Sequence, residues 1–102
     1  MNRVRIPPAA ERDPDAVEML GVWIAEQGLH CSLRIGSYRE RGIVEEQAWG
    51  TILADAARHI ARALAADSAL EEGVVLDSLR SHMLAELDDP SSPIRGGFVT
   101  EP

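Results

Sequence analysis

Lysine is absent from this 102-residue chain, and all ten basic residues are arginine. No side chain can therefore form a Schiff base or act as a phosphate-binding P-loop lysine. Cysteine occurs once, at position 31, so an internal disulfide is excluded and a reducing, cytoplasmic setting is expected. The amino-terminal stretch MNRVRIPPAAERDPD lacks the apolar segment of a secretory signal, which points to the same address. Aromatic residues are scarce: Trp23, Tyr38, Trp49 and Phe98 make up the whole set, too few to line a ligand cleft. No run approaches the roughly 18 uncharged apolar residues of a membrane-spanning helix, so a soluble protein without membrane association is expected.

What the chain does have is aliphatic bulk. Hydrophobic residues form 45% of the sequence and are mostly Ala, Leu, Val and Ile, enough for one domain over residues 1–102 but not for two. The formal charge is -7. Most of it sits in residues 67–89, where seven acids face a single base, Arg80. That segment repels a phosphate backbone, and no nucleic-acid partner is expected.

Residues 1–12, with IPP at 6–8, read as a proline-restricted extended arm with a short strand near Val4 to Ile6. DPDAVEMLGVWIAEQG (13–28) carries helix signals: Asp13 as cap, Pro14 in the first turn, Gly28 as stop, and a stripe of Ala16, Val17, Leu20, Trp23 and Ile24. LHCSLRIG alternates, with Leu29, Cys31, Leu33 and Ile35 on one side and His30, Ser32 and Arg34 on the other, and predicts the principal β-strand. Ile43 and Val44 are candidates for a short second strand. From Glu45 to Ala66 a stripe of Trp49, Ile52, Leu53, Ala56, Ile60, Ala63 and Leu64 predicts a long helix. Ser68 and Glu71 have capping-box spacing, and a third helix with Leu76, Leu79, Met83 and Leu87 inward runs to about Asp88. The short link between these last two helices predicts an antiparallel hairpin. Residues 89–102, rich in Pro, Ser and Gly, read as an extended tail. The expected fold is α+β: three helices and one principal strand, paired in a small sheet or across a dimer.

RIPPAAERDPDAVEML, AWGTILADAARHIA and RGGF resemble a family of small bacterial proteins known only as a domain of unknown function. The resemblance spans most of the chain and implies a short, self-contained, single-domain protein. It brings no activity, cofactor or catalytic residue with it.

Candidate chemistry is sparse. Neighbouring residues in a strand point to opposite faces, so His30 and Cys31 cannot grip one ion, and Cys31 on the apolar side reads as a core residue rather than a nucleophile. Asp55 precedes His59 by one helical turn, and His82 precedes Glu86 by one. If the hairpin brought these together, His59, His82, Asp55 and Glu86 could hold zinc or iron. The structural reading, two separate surface pairs, is the simpler one, and no H-E-x-x-H, C-x-x-C, E-x-x-H or glycine-rich phosphate loop supports the other. Arg34, Arg39 and Arg41 gather with Tyr38 near one loop and could hold a small anion, although Glu40, Glu45 and Glu46 stand ready to neutralise them. The glycines of IRGGF could form an anion nest, against the simpler reading of a tail anchored by Phe98. No cofactor is expected.

The firmer expectation concerns association. A lone strand or pair leaves unsatisfied backbone edges beside apolar side chains, and Met19 and Val22 widen the apolar surface of the expected first helix. A homodimer that buries the strands, the first helix or both across a two-fold axis follows, against a monomer covered by its own arm and tail. The leading functional expectation is a non-catalytic accessory or regulatory protein, binding a protein partner through its acidic third helix or tail. The alternatives are a small metal-dependent enzyme and a small-anion binder.

Overall fold

A computed structural model describes residues 1–100, apart from the side chain of Glu40. Residues 101–102 of the expected tail, and the Glu40 carboxylate expected to offset the arginines, lie outside the described residues. The chain is α+β, with three helices and a three-stranded mixed sheet. In order these are α1 (Pro8–Arg12), β1 (Leu20–Ala25), β2 (Gly28–Ile35), a 3-10 turn (Arg39–Arg41), α2 (Glu45–Asp67), α3 (Glu72–Asp88) and β3 (Gly96–Thr100). The sheet order is β1-β2-β3, with β1 antiparallel and β3 parallel to the central strand.

The first helix expected over residues 13–28 does not form. The IPP stretch instead starts the five-residue α1, with prolines in its first turn where a missing N–H costs nothing, and no strand forms at Val4 to Ile6. Asp13 does cap, but it caps a turn: its Oδ1 accepts the Asp15 N–H at 2.9 Å. LGVWIA is then strand β1, paired to β2 from Leu20↔Leu33 to Ala25↔Gly28. A two-residue loop, Glu26 and Gln27, joins them with left-handed φ values of 50° and 64°. Such a loop has the twist a tight hairpin needs, but neither residue favours it.

The carboxyl-terminal segment is a strand and not a free tail. β3 pairs with β2 in the register Cys31↔Gly96 to Ile35↔Thr100, and the Cys31 N–H donates to the Arg95 carbonyl at 3.0 Å. Gly96 permits this approach. Its φ is 115°, and a Cβ there would overlap the backbone of Cys31. Ile43 and Val44 form no strand; Val44 instead precedes the first turn of α2.

Helices α2 and α3 fold onto each other across a four-residue connection and close on small residues. Ala57, Ala61 and Val75 are the buried hydrophobics among the described residues. Arg62 and Glu72 add an exposed ion pair at 3.5 Å. The expected capping box is not made: the Ser68 hydroxyl donates back to the Leu64 carbonyl at 2.7 Å, and α3 begins without a side-chain cap. Of the residues expected to face inward on α3, Leu76 and Leu79 are half-buried, whereas Leu87 is 71% exposed.

The sheet and the helical pair approach each other little. Their clearest link is the Gly36 N–H, which donates to a Glu45 carboxylate oxygen at 2.7 Å where α2 departs. A crossover between parallel strands ordinarily packs its helices back on the sheet. Here no large side chain among the described residues is fully buried, and each apolar side chain left in water forgoes about 1.5–3 kcal/mol of stabilisation. The radius of gyration is 15.5 Å, against about 13 Å for a compact domain of this length.

Candidate functional site

Strand pairing sorts the sheet residues by face. Cross-strand partners share a face, so the registers place Leu20, Val22, Ile24, Leu29, Cys31, Leu33, Ile35 and Phe98 together. Every large side chain on this face is apolar. The other face carries Trp23, His30, Ser32 and Arg34, and the amino-terminal arm reaches over it: the Arg3 guanidinium lies 5.9 Å from the centre of the Trp23 ring. Between arm and β1 runs an open groove of about 680 Å³, lined by residues such as Val4, Ile6, Ala10 and Val17.

Exposure on the apolar face rises along the sheet. Leu20, Leu33 and Ile35, at the end near α2, are half-buried. Toward the hairpin loop Val22 is 57% exposed and Ile24 84%, and on the edge strand Phe98 is 68% exposed. Cys31 sits half-buried in the middle of this gradient as a free thiol. The strand reading of LHCSLRIG holds: His30 and Cys31 are adjacent in β2, and the His30 Nε2–H donates to the Ala25 carbonyl at 3.1 Å, bracing the hairpin turn.

The two histidine–carboxylate pairs form separately. His59 Nε2 lies 3.3 Å from Asp55 Oδ2 on α2, and His82 Nε2 lies 3.8 Å from Glu86 Oε1 on α3. All four side chains reach solvent, and among the described residues no three His, Cys, Asp or Glu side chains come close enough to share a metal ion. The four-ligand centre is therefore not assembled within one chain. One reason is visible at Glu86, whose carboxylate is already engaged: it accepts the Ser91 hydroxyl at 2.6 Å and the Ser91 N–H at 2.9 Å. These two bonds, with a smaller contribution from His82, hold the Glu86 carboxyl below its ordinary value. The pair anchors the chain as it leaves α3.

The arginines differ in their surroundings. Arg34 lies on β2 and its Nε–H donates to the Glu18 carbonyl at 3.3 Å, tying the strand to the segment before β1. Arg39 and Arg41 lie on the exposed 3-10 turn, whose end is made by Gly42 at a φ of 69°. Glu45, expected to neutralise these arginines, instead accepts the Gly36 N–H. The glycines of IRGGF join the sheet, with Gly96 and Gly97 in β3.

The profile of a family described as domain of unknown function (DUF5076) matches residues 3–91. The chain belongs to this family. Among solved structures, one of a protein from the photosynthetic bacterium Rhodopseudomonas palustris, provisionally described as a pyruvate dehydrogenase, is similar at 28% identity and a TM-score of 0.68. The match covers 91% of this chain and 90% of that one. Comparison with curated proteins gives no match. The family supplies no residue roles, so the apolar sheet face rests on geometry alone; sequence reasoning placed its β2 residues but missed Leu20, Val22 and Ile24. The available signal was the strand-favouring composition of LGVWIA, with Val22, Trp23 and Ile24 in succession.

Proposed function

We propose that this protein is a non-catalytic accessory or regulatory protein that acts by association: a cytoplasmic homodimer of bacterial type, presenting its acidic third helix to a protein partner. One observation carries the reading. The accessible surface is 8640 Å², about half as much again as the ~5,700 Å² usual for a folded monomer of 11.1 kDa. A chain that leaves Ile24 and Phe98 on the sheet, and Leu84 and Leu87 on α3, largely in water has apolar surface still to bury, and exposed apolar surface of this extent marks interaction sites. Residues 67–89, with seven acids to the single base Arg80, offer a partner of basic surface a complementary segment that includes α3. The unpaired Cys31 suits a reducing compartment.

Light scattering on the purified chain tests the reading, which expects a mass near twice that of one chain at micromolar concentration. A mass of one chain up to millimolar concentration would defeat it. The description of the structural neighbour adds a second assay, thermal melting with pyruvate, in which no stabilisation is expected. A rise in melting temperature that saturates with pyruvate would move the protein into the ligand-binding class.

A further inference from the structure

We infer that the apolar face of the sheet, bounded by Ile24, Leu29 and Phe98, is the surface on which a second copy of this chain sits. The inference rests on the homodimeric reading above and adds where the copies meet. Three observations select this face. Its large side chains are apolar, from Leu20, Val22 and Ile24 on β1 through Leu29, Leu33 and Ile35 on β2 to Phe98 on β3, where Gly96 and Thr100 flank it, and exposure rises to 84% at Ile24. The opposite face has the arm against Trp23, and polar His30, Ser32 and Arg34 along its centre. Finally, the crossover helices that would ordinarily cover the sheet stand away from it, leaving nothing in the chain to take their place.

The areas agree with a second copy as occupant. A stable dimer needs about 800 Å² from each partner, and the chain as a whole, with sheet face, arm and helices counted together, carries a surplus of accessible surface over a compact chain of this mass that exceeds this several-fold, so the sheet face has to supply only a part of it. A two-fold axis lets one patch satisfy both copies at once, so the exposed face needs no other molecule to close it. Cys31, in the middle of the central strand, reports on the face without any substitution.

The test follows the Cys31 thiol of the wild-type chain with a thiol reagent while mass is measured across a dilution series. Labelling should slow at least ~10-fold as the dimer forms, because a thiol reacts only where the reagent can reach it. In parallel, the pair Ile24→Asp and Phe98→Asp should weaken dimerisation by at least ~30-fold, because the two most exposed apolar side chains of the face would each carry a charge into the interface. A dimer whose Cys31 labels as fast as in the dilute monomer would overturn this inference while leaving the homodimer standing. A monomer at every concentration would overturn both. Should the double variant fail to fold, the wild-type labelling series decides alone; should it fold and remain fully dimeric, the face is not the interface.

Discussion

The helical pair and the sheet use their apolar residues in opposite ways. Helices α2 and α3 close on the small residues Ala57, Ala61 and Val75 and complete a contact within the chain. The sheet assembles larger side chains, among them Leu33, Ile35 and Phe98, and buries none of them fully. Small side chains let two helices approach closely, whereas a sheet face needs a second layer before its residues are removed from water. The helical pair thus closes one seam within the chain while leaving Leu53, Ile60, Leu64, Val74, Leu84 and Leu87 exposed on its outside. The sheet closes none.

Substitutions that strike one half and spare the other test that division. The largest effect is expected for Gly96→Ala, which adds a Cβ against the Cys31 backbone at a φ of 115°: about 3 kcal/mol of lost stability in denaturant unfolding, with the helical circular dichroism signal retained. Loss of the helical signal together with the sheet would show that the halves are not separable. Ala61→Leu strikes the helical pair, where the site is 0% exposed, and should cost about 2 kcal/mol by overpacking. An unchanged denaturation midpoint would mean that α3 does not press on that position. In the opposite direction, Glu26→Asn with Gln27→Gly relieves two left-handed residues and should stabilise the sheet by about 1 kcal/mol, seen as a higher melting temperature.

The smallest effect belongs to Glu86. Its carboxyl is held below the ordinary value of 4.5 in the folded chain by the Ser91 hydroxyl and N–H. A depressed carboxyl stabilises the fold fully above its unfolded value, and that contribution is lost as pH falls through the folded value. Glu86→Gln should therefore melt slightly below wild type at pH 7, with the gap narrowing as pH falls through the folded value of the carboxyl. A gap of constant size throughout the acid titration would assign the loss to packing and not to charge.

The same division explains what was legible in the sequence. The long stripe from Trp49 to Leu64 repeats with a helical period over several turns and predicted α2 to within a residue of its observed ends, Glu45 and Asp67. β2 was legible because Cys31, Leu33 and Ile35 alternate with polar residues. β1 was not, because Gly21, Trp23 and Ala25 make its second face apolar as well, so LGVWIA fits a helical stripe as readily as a strand. Its hairpin carries Glu26-Gln27 where Asn-Gly would have announced a turn, and Asp13 and Pro14 supplied convincing helix-start signals for a turn that leads into a strand. β3 was hidden for a different reason: Gly96-Gly97 has little strand character of its own and is held by pairing to a strand some sixty residues earlier. The histidine pairs were read correctly as i, i+4 neighbours, but spacing along each helix could not show that they form separate sites.

One chain leaves its sheet unfinished, and in the proposed homodimer a second copy completes it. The most direct check is the thermal midpoint of the intact protein over a hundredfold range of concentration, since association that stabilises only the folded state makes that midpoint depend on concentration. The midpoint should rise steadily as the protein is concentrated. A cooperative transition at one fixed temperature throughout, from a species with the mass of a single chain, would contradict the account.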